Sequence, residues 1–227
     1  MAKLSASTAS SSGRRCEKRG GTVAFGTIAA ILVLIGAIIA LTMPSKQGGS
    51  SPLSRLFADA QCTEPCVPGS EAIMKQKAHG TSEYPVQQNL RWEVDWDTAD
   101  RINNFNRHYA EFAGYWESTS FLSEFKENIE NESGEVTFYD SGWKGSPLFT
   151  APRDRSWKDF IAESKKHGWP SFRDSEVDWD YARVLPGGEM VSVDGSHLGH
   201  NLPDGTGNRY CINLVSIAGS VSSNASD

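Results

Sequence analysis

The sequence predicts a mainly β domain with a few peripheral helices, preceded by one transmembrane helix. Three observations carry this. Short apolar-polar alternations recur at 134–139, 184–193 and 209–214, the period of two that a half-buried strand requires. Helical periodicity is confined to two stretches near 102–112 and 156–167. The run from Val23 to Met43, VAFGTIAAILVLIGAIIALTM, carries no charge and is about as long as a bilayer is thick.

Residues 1–22 are polar and basic and read as a disordered tail. Arg14, Arg15, Lys18 and Arg19 precede the apolar run at 23–43, whereas only Lys46 and Arg55 follow it nearby. The positive-inside rule then places the N-terminus in the cytosol and the folded domain in a lumen or outside the cell. The Ser, Ala and Arg content of 1–22 also fits an organelle transit segment, so an anchor in an organelle membrane is the alternative. Residues 44–95 hold much Gly, Ser, Pro and Gln with little periodicity and read as a linker.

Order is expected from residue 96 to 218. Ile102, Phe105, Tyr109 and Phe112 follow helical spacing, with Gly114 as the stop. Gly134 to Tyr139 alternates as a strand. Ser156 to Asp159 forms a capping box ahead of an apolar stripe of Trp157, Phe160 and Ile161. Lys165, Lys166 and His167 load the last turn, and Gly168 ends the helix and delivers the chain into Trp169. Val184 to Val193 reads as a hairpin turning at Leu185–Gly188. Glu176, Asp178 and Asp180 around Trp179 read as a solvated acidic loop, with a cation site as the alternative. The tail at 219–227 is small and polar and is expected to be mobile.

The chain has 227 residues and a formal charge of -6, without the broad basic surface that a nucleic-acid partner needs. Its four cysteines form no CxxC pair, which argues against a disulfide scaffold or a zinc module.

The chemistry concentrates in HLGHNLPDGTGNRYCIN, His197 to Asn213. On a strand, Arg209, Cys211 and Asn213 share one face, and Tyr210, Ile212 and Leu214 the other. The first face offers a cation to a thiol, and a cation favours the nucleophilic thiolate. Asn213 is placed to bond a substrate oxygen or the backbone. His197 and His200 lie across a Gly-containing turn and can give a proton to a leaving oxygen. The bland readings are a buried cysteine acting as a small hydrophobe and a structural or metal-binding histidine pair.

Taken together, these segments resemble the methionine-R-sulfoxide reductases. The resemblance rests on Pro147-Leu148-Phe149, Gly168-Trp169-Pro170-Ser171-Phe172, His197-Leu198-Gly199-His200, Asp204-Gly205 and Arg209-Tyr210-Cys211-Ile212-Asn213, with Arg107 to Glu111 and Gly114-Tyr115 as a looser match. It covers about residues 100 to 218. It implies two antiparallel sheets and an enzyme that reduces the R epimer of methionine sulfoxide. Cys211 would attack the sulfoxide sulfur and be left as a sulfenic acid. His197 and His200 would bind and protonate the oxygen, and Asn213 would hold the oxygen network. Trp169 would wall the substrate methyl, with Phe172 and Arg209 also on the substrate side.

Three departures qualify the resemblance. Many members hold a structural zinc with two CxxC pairs, but the corresponding positions here are Ser141, Lys144, Val191 and Asp194. No structural zinc and no other cofactor is therefore expected. The usual resolving cysteine is replaced by His167, which leaves an external thiol reductant, such as thioredoxin, or the distant Cys62 and Cys66 to reduce the sulfenic acid; the bland alternative is that Cys62 and Cys66 form a small disulfide with each other or play no part. The loop from His200 to Cys211 is shortened and carries Asn201-Leu202. Expected partners are oxidised proteins or peptides, a thiol reductant and a membrane. The rival reading is a non-catalytic, membrane-tethered module that binds oxidised methionine or another ligand.

Overall fold

The computed structural model describes residues 62–221. The expectations for the basic tail, the apolar run at 23–43 and the last six residues lie outside the described residues. Among the described residues, no helix is long and apolar enough to cross a membrane.

The described residues are mainly β, with two antiparallel sheets and few helices. Strands β1 (Val136–Tyr139) and β2 (Pro147–Ala151) form the smaller sheet. The larger sheet takes β3 (Ser171–Phe172), β4 (Ala182–Val184), β5 (Glu189–Ser192), β6 (His197–Asn201) and β7 (Tyr210–Ile212) in the order β3-β7-β6-β5-β4. The predicted hairpin is β4–β5, with its turn at Leu185–Gly188. The short helices are α1 (Trp96–Asp100), α2 (Phe121–Glu124) and α3 (Lys126–Asn131), and the longest is α4 (Trp157–His167).

Helix α4 begins as its sequence dictates. Ser156 Oγ accepts from Asp159 N at 3.1 Å, and Asp159 returns a carboxylate to the Ser156 backbone N–H. Gly168 ends it at φ 88°, and an added Cβ there would sit 2.8 Å from the Ala113 Cβ. Glycine thus serves two needs at once: a left-handed backbone and a close approach.

The domain begins well before residue 96. Cys66, Met74, Val86, Trp92 and Val94 are all buried. Arg91 N donates to Ala218 O at 2.7 Å, and Gly69 N to Val184 O at 2.8 Å. The expected linker at 44–95 is therefore corrected over 62–95, which packs into the core without regular periodicity. Short 3-10 turns at Glu71–Met74 and Arg91–Glu93 carry its contacts. The mobile-tail expectation is also corrected at its start, because Gly219 N donates to Tyr139 O at 3.0 Å and Ser220 N to Gln87 Oε1 at 2.9 Å.

The helix expected over 102–112 is shorter. α1 passes into a π turn at Arg101–Phe105 and then stops. Ile102 is buried, but Phe105, Tyr109 and Phe112 are exposed. The periodic apolar residues past 102 face outward and do not form a core stripe.

Phe172 stacks on Phe149 at 4.2 Å and meets Phe138 edge-on at 5.1 Å. It is fully buried in the aromatic core and does not line the site, which corrects its expected substrate role. The register explains this. Ser171 pairs with Cys211 and Phe172 with Tyr210, so Phe172 belongs to the core face. Phe172→Ala is expected to cost about 3–5 kcal/mol of stability in denaturant unfolding, with little change in activity per folded molecule.

Candidate active site

Strands β6 and β7 lie side by side and bring the chemistry together. Cys211, His197, His200, Trp169 and Asn213 all line one cavity of about 360 Å³. His108, Tyr109, Ala110, Gly199 and Leu202 complete its wall.

The histidine pair depends on a bulge. On a regular strand, residues three apart face opposite ways. Here Val191 pairs with His197 but Met190 with Gly199, so Leu198 is an extra residue on β6. His197 and His200 then come to the same side, with ring centroids 5.5 Å apart. Gly199 lets β7 approach, since a Cβ there would sit 2.1 Å from the Cys211 carbonyl oxygen.

Cys211 is partly exposed and is the free cysteine among the described residues. Arg209 Nη1 donates to its Sγ at 3.1 Å, as strand parity predicts. Arg209 is itself buried and is not part of the cavity wall, so it faces the thiol and not the substrate space assigned to it from sequence. Ser171 Oγ, unnoticed in the sequence, lies 3.9 Å from Sγ across the β3–β7 pair.

Asn213 bonds the backbone at both ends. Its Oδ1 accepts from Glu111 N at 3.2 Å, and its Nδ2 donates to Leu198 O at 3.1 Å. Trp169 Nε1 donates to Glu111 O at 3.0 Å, so its ring is held against the cavity by the same residue.

Glu111 is therefore a local organiser, although in the sequence it is marked only as the end of a loosely matching segment. Its carboxylate accepts from Leu214 N at 2.7 Å and Val215 N at 3.0 Å. Burial nevertheless dominates those bonds and pushes its pKa up to about 7. The folded value lies above the ordinary 4.5, so the folded state holds this proton more tightly. The associated stability is fully present below about pH 4.5 and is lost as pH rises to about 7. Denaturant unfolding between pH 5 and 8 should show this fall, and Glu111→Gln should flatten it.

Two further carboxylates are already committed. Glu189 Oε1 lies 2.8 Å from His197 Nδ1, and both Glu189 oxygens take Arg107 Nε, at 3.1 and 3.0 Å. Burial alone would raise the Glu189 pKa, but the bonds from His197 and Arg107 outweigh it and hold it below the ordinary value. His200 is shifted down, first by burial and then by the neighbouring His197, which favours its neutral form. Glu176 is buried and paired with Arg155 at 2.5 Å, which corrects the solvated reading at that residue, whereas Asp178 is half-buried and Asp180 exposed.

Cys62 and Cys66 are bonded to each other, and Cys66 is buried. Their loop is tied to the loop between β6 and β7 through Asn208 Nδ2, which donates to Thr63 O at 2.8 Å. At the positions matched to zinc ligands, Lys144 pairs with Asp194, Ser146 Oγ donates to Asp194 Oδ2 at 2.9 Å, and Ser141 Oγ donates to Val215 O at 2.6 Å. Val191 lies elsewhere, in a small apolar cluster with Met74 and Leu185. These four side chains offer no tetrahedral thiolate or imidazole set and do not fit a zinc ion. His167 is half-buried and carries no thiol; burial, then Arg209, lowers its pKa.

Compared with family models, with curated proteins and with solved structures, the chain gives no match.

Proposed function

We propose that this chain is a membrane-anchored thiol oxidoreductase that reduces the R epimer of methionine sulfoxide, in proteins or peptides, to methionine. The observation that supports it most is the convergence of Cys211, two imidazoles and the Trp169 ring on one cavity. A sulfoxide oxygen leaves sulfur readily only when it is protonated as the sulfur is attacked. The site offers both functions from opposite strands. The Cys211 thiolate bonds to the sulfoxide sulfur as an imidazolium gives its proton to the oxygen; the hydroxyl then passes to the cysteine sulfur as the substrate's sulfur–oxygen bond and the new sulfur–sulfur bond break. The products are methionine and a Cys211 sulfenic acid, so the substrate sulfur is reduced by two electrons and the cysteine sulfur oxidised by two. Arg209 Nη1 donates to the Cys211 sulfur at 3.1 Å and holds it in place at the cavity. An external dithiol of the thioredoxin kind, or two small thiols in turn, then condenses with the sulfenic acid to release water and reduces the mixed disulfide, so that Cys211 returns to thiol and the reductant leaves as a disulfide. The uncharged run at 23–43 supports the anchor, and the basic residues ahead of it support a lumenal or extracellular domain.

A second reading is a tethered module that binds without turnover. One observation favours it: among the described residues Cys211 has no free second thiol to resolve it. The two readings separate by trapping. After exposure to the R epimer, a sulfenic-acid-selective diketone should label Cys211 by mass spectrometry. Unlabelled Cys211 in a folded protein that still binds the R epimer would favour the module.

A further inference from the structure

Asn131-Glu132-Ser133 closes α3 and leads toward β1, and it is an Asn-x-Ser triplet without proline at its centre. That is the acceptor pattern for an N-linked glycan, which needs a surface loop and a secretory compartment. We propose that Asn131 is a glycosylation site and that the protein carries an N-linked glycan there. This rests on the lumenal placement of the domain given above and is independent of the chemistry in the cavity.

The triplet is presented and not packed. None of the α3 residues is buried, and Asn131, Glu132 and Ser133 are all exposed. Glu132 turns the chain at φ 50° and ψ 44°, in the left-handed region, and its N–H donates to Asn128 O. Its carboxylate is engaged by Lys158 Nζ at 3.1 Å. Ser133 N donates to Asn128 O at 3.0 Å, and Ser133 O accepts from Trp157 Nε1 at 3.1 Å. The backbone of the triplet is therefore held against the domain. The Asn131 amide and the Ser133 hydroxyl, the two groups that sugar transfer uses, have no hydrogen-bond partner among the described residues. A sugar on Asn131 would break no bond of the fold and displace nothing from the core. Asn131 does not line the cavity, so the sugar is not attached at the reacting site.

The compartment is supported from two separate parts of the chain. Arg14, Arg15, Lys18 and Arg19 ahead of the apolar run outweigh Lys46 and Arg55 after it, which places the domain across the membrane. Independently, Cys62 and Cys66 form a disulfide, a bond that persists in oxidising compartments and is rare in the reducing cytosol. The transfer itself needs no oxidant or reductant. Nδ2 of Asn131 bonds to the anomeric carbon of an oligosaccharide carried on a polyisoprenoid diphosphate. The bond from that carbon to the diphosphate oxygen breaks, the amide gives up one proton, and the lipid diphosphate leaves.

The test uses the full-length chain, translated with endoplasmic-reticulum microsomes, which hold that sugar donor. Protease is added from outside, and samples are then run with and without peptide N-glycosidase. A protected domain of slowed gel mobility, restored by the glycosidase, is expected. Glycosidase in heavy-oxygen water should leave position 131 as a mass-labelled aspartate. Asn131→Gln and Ser133→Ala should each lose one glycan's worth of shift, and Ser133→Thr should keep it. Both losses come from exposed side chains without partners, and Ser133→Ala retains Asn131, so neither depends on a failure to fold. A protected domain unlabelled at 131 would overturn the proposal and leave the lumenal placement standing. A label found only at Asn224, in the second triplet Asn224-Ala225-Ser226, would do the same. A domain digested from outside would overturn both together, because the glycan donor acts only in the lumen.

Discussion

Cys211→Ser is expected to abolish methionine formation from the R epimer, by at least about 10³-fold, while leaving the fold intact. A hydroxyl at this position keeps the size of the thiol but is not ionised near neutral pH, and oxygen lacks the accessible thiolate chemistry. The side chain is only partly buried and belongs to no apolar cluster, so little packing is lost. The Arg209 Nη1 contact at 3.1 Å is retained as a bond to oxygen. Methionine release, read by chromatography after one turnover, checks the result, and circular dichroism checks the fold. Full activity in that variant would remove Cys211 from the mechanism.

The second large effect concerns the domain boundary. A chain beginning at residue 96 is expected not to fold. It would lack Trp92, Val86, Val94 and Cys66, all buried in the main cluster, and the Arg91–Ala218 backbone bond at 2.7 Å. Loss of one large buried side chain costs about 3–5 kcal/mol, and whole domains are stable by about 5–15 kcal/mol. Removing several together exceeds that margin. A chain beginning at residue 62 should unfold cooperatively in denaturant, and one beginning at 96 should show no transition. Two matching transitions would mean that the 62–95 segment is peripheral.

What the sequence reveals follows from the range of the forces involved. The capping box at Ser156, the stop at Gly168 and the β4–β5 hairpin are local, decided by residues within a few positions, and they are legible. The shared face of Arg209 and Cys211 is legible for the same reason, because strand parity needs no partner. The common side of His197 and His200 is not. It requires the extra residue at Leu198, which exists only relative to β5. Glu189 is hidden likewise, since it reaches His197 through strand pairing and not through a motif. The motif of Phe172 suggests the site, whereas its register with Tyr210 turns it into the core. Residues 62–95 read as a linker because irregular turns leave no periodic signal, although tertiary packing buries them. Past Ile102 the opposite error arises, as a helical pattern of aromatics belongs to an exposed segment.

The disulfide bears on recycling. Cys62 and Cys66 were candidates to resolve the sulfenic acid, and here they hold each other. If they stay bonded, each chain has one reducing cysteine at the site and delivers one methionine before an external thiol is needed. If they are reduced and reach Cys211, the pair supplies two more electrons and allows a second methionine.

The most direct measurement is therefore a count. The full-length chain, with Cys211 reduced and the Cys62–Cys66 bond intact, is mixed with separated R and S epimers of a blocked methionine-sulfoxide peptide, without recycling reductant. About one methionine per chain from the R epimer, and none from the S epimer, is the predicted result. No methionine from either epimer, with the domain folded, would contradict the account and leave a binding module in its place.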